Sequence, residues 1–186
     1  EGRDIMAQGQ TGSGKTVAFA VATLTRVEVT EFTTQAVVLC PTRELAAQVA
    51  EQYRAVGQCM SNLKVLTLCG GEPMGPQIQS LKHGAHVIVG TPGRILDHLQ
   101  KNRIDLSGVT SRVLDEADRM LDMGFADDVD EIFSYTAEQV QTLLFSATWT
   151  DGIKRMANKY LADPLTFTAK ADVVANPDIE QQAYSV

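Results

Sequence analysis

The sequence predicts an α/β fold, a parallel β-sheet with helices on both faces. Short apolar, β-rich runs alternate with amphipathic stretches along the chain. Strands joined by helices form βαβ units, which pack as a parallel sheet. The runs themselves, such as QAVVLC at 35–40 and KVLTLC at 64–69, are nearly unbroken in apolar character, as a sheet buried on both faces requires. Segments rich in Gly, Asp, Ser and Thr follow several of these runs. In such a sheet ligands bind where loops leave the carboxyl ends of the strands.

The elements follow in chain order. Asp4–Ala7 can form a first strand, and a Gly-rich turn leads from it into a helix near Lys15–Arg26. Further strands are expected at Gln35–Cys40, Lys64–Cys69, His86–Val89, Val109–Leu114, Thr142–Phe145 and Leu165–Thr168. Helices are expected near Glu44–Met60, Gln77–His83, Arg94–Gln100, Phe125–Phe133 and Thr150–Leu161. No repeat, low-complexity tract or internal linker interrupts them. The polar tail Asp172–Val186, which contains Pro177, reads as an exit from the domain.

Composition narrows the function classes. At 186 residues, with 44% hydrophobic and 21% charged residues, the chain has the size and make-up of one globular domain. It has no apolar run of about 18 residues to span a membrane. No basic-then-apolar leader is visible at its start, and the missing initiator Met suggests a piece of a longer protein. Cys40, Cys59 and Cys69 form no C-x-x-C pair, so neither a zinc site nor a disulfide framework is expected. Cys40 and Cys69 are expected in the core of a protein of a reducing compartment, the cytoplasm. His83, His86 and His98 have no clustered ligand partners, which argues against a metal role. The net charge of −7 argues against coating nucleic acid by bulk positive charge. A local groove of a few Arg side chains and backbone amides remains open.

The motifs carry the chemistry. Gly9-Gln10-Thr11-Gly12-Ser13-Gly14-Lys15-Thr16 matches the phosphate-loop pattern G-x-x-x-x-G-K-[ST] in full. Its glycines let successive N–H groups turn inward around phosphate oxygens, and the following helix adds its positive end. Lys15 supplies a cation for the β- and γ-phosphates of ATP, and Thr16 a hydroxyl for Mg²⁺. The apolar run Val113-Leu114 ends abruptly in Asp115-Glu116-Ala117-Asp118. A carboxylate at a strand end reaches Mg²⁺, usually through water, because Mg²⁺ keeps part of its hydration shell. Asp115 is expected in that role, with Glu116 placed to orient or deprotonate the attacking water.

Six segments occur in a set order: the Lys15 loop, Pro41-Thr42-Arg43-Glu44-Leu45-Ala46, Gly70-Gly71, Thr91-Pro92-Gly93-Arg94, Asp115-Glu116-Ala117-Asp118 and Ser146-Ala147-Thr148. Together they resemble the ordered motifs of the first RecA-like domain of DEAD-box RNA helicases, over nearly the whole chain. The segments LTLCGG, DRMLDMGF and QTLLFSATW look closest to bacterial members, among which is a ribosome-assembly protein. The resemblance implies a RecA-like, P-loop NTPase sheet over residues 1–170, with 171–186 leading to a second RecA-like domain. It implies that Ser146 and Thr148 link the ATP site to RNA by hydrogen bonding near Asp118. It also implies that Pro41, Thr42, Arg43, Gly70, Gly71, Thr91, Gly93 and Arg94 hold the sugar–phosphate backbone of one RNA strand, without reading its sequence. ATP hydrolysis and RNA remodelling are then expected when the second domain is joined.

Three departures from the family pattern stand out. The family's adenine-recognition glutamine lies upstream of the phosphate loop, and the sequence begins too late to contain it. The second domain, with its arginine finger, would follow Val186. Ser111-Arg112 stands in a strand where the family is usually apolar, and a buried Arg costs several kcal/mol unless paired or snorkelling. Trp149 is expected to pack against a helix. The competing readings are a metabolic P-loop kinase, a DNA translocase of the same superfamily, and a chain that binds nucleotide or RNA and hydrolyses nothing.

Overall fold

The computed structural model describes residues 2–9 and 14–168. Its strands are β1 (Ile5–Gln8), β2 (Ala36–Leu39), β3 (Val65–Leu68), β4 (Val87–Gly90), β5 (Ser111–Leu114), β6 (Gln141–Ser146) and β7 (Leu165–Thr168). Its helices are α1 (Lys15–Leu24), α2 (Arg43–Val56), α3 (Met74–Leu81), α4 (Pro92–Gln100), α5 (Ala117–Asp122), α6 (Ala126–Ser134) and α7 (Asp151–Tyr160). The seven strands form one sheet in the order β3-β4-β2-β5-β6-β1-β7, and every pairing is parallel. The expected α/β class holds. The exit segment proposed for 171–186 lies outside the described residues.

Side chains of β2 show why the strands read as continuous apolar runs. Ala36 and Val38, with Cys40 just past the strand, enter one core with Phe19, Ala46, Val49 and Tyr53 of α1 and α2. Val37 and Leu39 enter the opposite core with Ile95, Leu99, Met120, Ile132 and Ile153 of α4 to α7. Alternation is present, but both faces are apolar because both are covered. Trp149 packs against the second of these cores, in keeping with its expected role.

Helix starts follow local capping chemistry. The Thr42 hydroxyl accepts the Leu45 N–H at 3.3 Å, and that of Thr150 accepts the Ile153 N–H at 3.3 Å, each satisfying an otherwise unpaired donor of the first turn. Pro92 opens α4, where a missing N–H costs nothing. α3 begins at Met74, earlier than expected, because Met74-Gly75-Pro76 resembles a turn although Pro is tolerated in a first helical turn. α2 ends at Val56 with Gly57 as its cap, short of Met60. β5 starts at Ser111 instead of Val109. The six-residue α5 was not expected at all, being too short to show a helical period.

Arg112 lies in β5 with only 8% of its surface exposed. It is accommodated by hydroxyls and ring faces. Its Nε donates to Thr142 Oγ1 at 2.7 Å, and Nη1 donates to Thr136 Oγ1 at 3.1 Å. The guanidinium carbon stands 4.3 Å from the centre of the Phe133 ring and 5.9 Å from that of Tyr160, within cation–π reach. Burial pulls its pKa down, and the charge of Asp4 opposes that pull. Asp4 itself ties β1 to its neighbours, accepting the Thr142 and Ala162 N–H groups at 2.7 Å each.

Candidate active site

The sheet order places β1 one strand away from β5, with β6 between them. The turns leaving all three therefore meet at one end of the sheet. Gly9 N–H donates to the Ser146 carbonyl at 3.2 Å, and Asp115 N–H to the Leu39 carbonyl at 3.0 Å, so the strand ends are tied just where the functional segments start. A cleft of about 410 Å³ opens there, lined by Gly14, Lys15 and Thr16 on one side and Asp115 and Glu116 on another. Gln48 and Gln52, one turn apart on α2, line it as well. Sequence reasoning missed these two; their only signal is the one-turn spacing on the helix.

Gly14 caps α1 at φ 77°, ψ 6°, a left-handed conformation open to glycine without steric cost. The Lys15 amine donates to the carbonyl of Gly9, spanning the loop from its far end. Gln10, Thr11, Gly12 and Ser13, expected to cradle phosphate, lie outside the described residues. The described ends, Gly9 and Gly14 to Thr16, stand where the phosphate-loop pattern puts them.

Asp115 and Glu116 are set by backbone geometry. Glu116 sits at φ 51°, ψ 52°, left-handed and costly for a residue with a Cβ. That residue turns the chain from β5 directly into α5, so two consecutive carboxylates border the same cleft. The Glu116 N–H donates to Asp115 Oδ1 at 3.0 Å, and its own carboxylate accepts from Arg119 Nη1 at 3.3 Å. Burial raises the Asp115 pKa to about 6 against the pull of Lys15, and the neighbouring Glu116 and Asp118 add to the rise. A buried carboxylate beside two others and one ammonium is short of positive charge. A hard dication would supply it.

The donor set fits Mg²⁺ in that respect. Among the described residues no group of three or more His, Cys, Asp or Glu is placed to hold a metal. A protein cage is therefore not on offer, whereas Mg²⁺ typically takes one or two protein oxygens and completes its shell with phosphate and water. Asp115 and Thr16 line one cleft and would supply such oxygens.

Asp118, Ser146 and Thr148 are brought together by hydrogen bonds. Asp118 Oδ2 accepts both the N–H and the O–H of Thr148 at 3.0 Å. Ser146 Oγ donates to the Thr148 carbonyl at 2.8 Å. The acidic turn after β5 is thereby bonded to the turn after β6, beside the cleft.

Pro41, Thr42, Arg43, Gly70, Gly71, Thr91, Gly93 and Arg94 all lie in turns or first helical turns at the carboxyl ends of β2, β3 and β4, a continuous row in the sheet. Gly71 is held at φ 77°, which favours glycine, and a Cβ there would meet the movable end of the Arg43 side chain, Nη1, at 2.7 Å. Thr91 leaves its own helix uncapped and instead accepts the Gly70 N–H on its hydroxyl at 3.2 Å. Arg94 is turned inward more than a free cation would be. Its Nη1 and Nη2 each donate to the Glu72 carbonyl at 3.0 Å, and Nη1 also donates to Gln77 Oε1 at 3.0 Å. Gln77 was not singled out from sequence; the signal was a polar residue on the sheet-facing side of α3.

The chain is similar to known proteins in both sequence and fold. The model of the DEAD/DEAH box helicase family matches residues 1–156. The ATP-dependent RNA helicase DbpA of Escherichia coli strain K12 is 50% identical over 183 residues, covering 98% of this chain and 40% of that protein. The ATP-dependent RNA helicase DeaD of Mycobacterium tuberculosis strain H37Rv is 48% identical over 185 residues, covering 100% of this chain and 33% of that protein. A solved DEAD box protein from the hyperthermophile Methanococcus jannaschii superposes with a TM-score of 0.85 at 42% identity, covering 90% of this chain and 46% of that one. The chain thus spans less than half the length of these relatives.

Proposed function

The chain belongs to the DEAD/DEAH box helicase family, and on that premise we propose that it is the ATP-binding domain of an ATP-dependent RNA helicase. It binds Mg²⁺-ATP and the RNA backbone, and it hydrolyses ATP and remodels RNA when joined to a second RecA-like domain. The observation that carries this is a single cleft bordered by Lys15, Thr16, Asp115 and Glu116. Lys15 and the backbone of 9–16 bind the β- and γ-phosphates. Thr16 and Asp115 hold Mg²⁺, which when bound neutralises charge developing on the phosphate oxygens. Glu116 orients the attacking water and takes its proton. The bonds from Asp118 to Thr148 link that event to the turn after β6.

The row from Pro41 to Arg94 grips the sugar–phosphate backbone of one strand. Glycine amides, helix starts and Arg43 suit phosphate oxygens and carry little base information. A cytoplasmic location and a part in ribosome assembly are finer proposals of the same reading. The first is supported by Cys40 and Cys69 reading as core thiols of a reducing compartment, the second by the resemblance of the LTLCGG, DRMLDMGF and QTLLFSATW segments to a ribosome-assembly member of the family. Among the described residues no helix is long and apolar enough to cross a membrane.

Binding of a fluorescent ADP analogue tests the cleft. Mg²⁺ should strengthen it, and Lys15→Ala should weaken it at least about tenfold, the loss of one charge-assisted contact. Unchanged affinity in Lys15→Ala would overturn the site. In a two-domain protein containing this chain, single-stranded RNA should stimulate turnover and DNA of equal length should not. Equal stimulation by both would favour a nucleic-acid translocase without RNA preference.

A further inference from the structure

We propose that Gln77 is a positioning residue that sets the shape of the RNA-facing loops from inside the domain. The inference rests on the reading that these loops hold RNA. Gln77 is 5% exposed and stands on α3 beneath the turns that follow β3 and β4. Its Nε2 donates to the Cys69 carbonyl at 3.2 Å and to Glu72 Oε2 at 3.1 Å. Its Oε1 accepts from Arg94 Nη1 at 3.0 Å and lies 3.0 Å from His98 Nε2. One amide thus touches both ends of the Gly70-Gly71-Glu72 turn, the Arg94 guanidinium and α4.

The amide's orientation is fixed by its neighbours. Oε1 faces a guanidinium, which only donates, so His98 must present Nε2–H to the same oxygen. Nε2 faces a carbonyl and a carboxylate, which only accept. A flipped amide would set donors against donors on one side and acceptors against acceptors on the other. Because the group is buried, each lost bond would leave an unsatisfied polar atom. The network therefore has one low-energy arrangement, and it passes that arrangement on to the loops. Arg94 locked by Gln77 holds the Glu72 carbonyl with two nitrogens. The adjacent Gly70 N–H is held by Thr91, and Gly71 lies under Arg43. Three of the proposed RNA-contacting segments are thereby kept in one register by a residue that touches no RNA.

A mere packing role would not separate RNA binding from nucleotide binding, because the nucleotide cleft is bounded by α1, α2 and the turn after β5. The test is a set of anisotropy titrations of the chain with a labelled single-stranded oligouridylate at low salt, alongside a fluorescent ADP analogue and thermal melts. Gln77→Met keeps the volume and removes every polar contact. It should weaken RNA binding about five- to twenty-fold, the scale of a broken buried network, with ADP affinity unchanged within about two-fold. If Gln77 acts through Arg94, adding Gln77→Met to Arg94→Met should cost less than about two-fold more. Gln77→Glu keeps the acceptor for Arg94 but faces the Glu72 carboxylate, so it should also weaken RNA binding. Glu72→Gln should then restore part of the loss, since the exchanged pair is complementary again while the Cys69 carbonyl stays without its donor. RNA affinity unchanged in Gln77→Met overturns the proposal. Equal losses of RNA and ADP binding accompanied by a lowered melting temperature also overturn it, as does failure of the Glu72→Gln rescue. If the unsubstituted chain shows no RNA binding that Arg43→Ala weakens, the RNA reading itself falls, and Gln77 with it.

Discussion

Glu116 combines a strained backbone with the proposed task of orienting the attacking water. A left-handed residue with a side chain persists only where its surroundings over-determine it. Here the strand before it is buried in the sheet, and its carbonyl already accepts the Met120 N–H at 3.1 Å in the first turn of α5. The consequence is a carboxylate aimed at the cleft beside Asp115, without being the group that holds phosphate. Glu116→Gln in a two-domain protein containing this chain should therefore lower turnover by about 10²–10⁴, the usual range for a lost general base. ATP affinity should stay within about threefold, since Gln keeps the size and the phosphate contacts are untouched. Turnover and equilibrium nucleotide binding, measured side by side, check this; a parallel loss of both would place Glu116 on the phosphates instead. Asp118 differs in kind, since its carboxylate is spent on Thr148.

At the scale of elements, two buried side chains make the packing measurable. His86, at the start of β4, is fully buried, and its Nδ1 accepts the Lys64 N–H at 2.9 Å. Burial lowers its pKa, and the Lys64 charge lowers it further. A histidine that binds its proton more weakly when folded leaves the unfolded chain the better proton acceptor below about pH 6.5. Stability therefore rises with pH through the window under that value and is lost on acidification. Asp115, raised to about 6, works in the opposite sense and masks part of the slope. His86→Asn, which keeps an acceptor for Lys64, should flatten the acid-side loss between about pH 5 and 6.5 in urea titrations; an unchanged slope would show that His86 is not its source. Arg112 gives the second measurement. Thr142 and Thr136 also bond to the Val140 and Phe133 carbonyls, so neither hydroxyl is orphaned without it. Arg112→Met should stay within about 1 kcal/mol of the parent, whereas Arg112→Ala should cost about 2–4 kcal/mol for the cavity against Phe133 and Tyr160. These partners also explain what was legible in the sequence. The phosphate loop and the carboxylate turn are local patterns, readable from spacing, and the strands that carry them announce themselves by apolar runs. The accommodation of Arg112 is non-local, assembled from β6, α6 and α7, so only its cost could be read. Gln77 was invisible for the same reason, because its partners lie on two other segments, the turn after β3 and α4.

At the scale of the molecule, the cleft's own residues cover each step of hydrolysis except one. On the proposed reading the phosphate loop, Thr16 and Asp115 for the metal, and Glu116 for the water all come from this chain. The charge that builds on the γ-phosphate in the transition state needs a further cation, and an arginine reaching in from elsewhere contributes about 10³–10⁵ in rate in nucleotide hydrolases. Arg43 lies over Gly71 and Arg94 is bonded to Glu72 and Gln77, so both are committed to the opposite flank of the sheet end. Arg119 borders the cleft through Glu116, but its guanidinium is exposed and paired with that carboxylate. Among the described residues, then, the motifs place no arginine for the transition state. Unwinding asks for more, since distorting a strand requires RNA gripped by two bodies that close over ATP. The 186-residue chain should consequently bind Mg²⁺-ADP yet turn over ATP at least about 10³ times more slowly than a two-domain protein containing it, and should separate no duplex. With a net charge of −7 opposing the approach of RNA, its affinity should fall steeply with salt, each neutralised phosphate adding about −0.7 to the slope of log K against log salt. The decisive comparison is ATP turnover of the two proteins, each saturated with RNA. Rates within a few-fold of each other would mean that catalysis is self-contained in this domain, and that one of its own cations, Arg119 first, reaches the γ-phosphate after all.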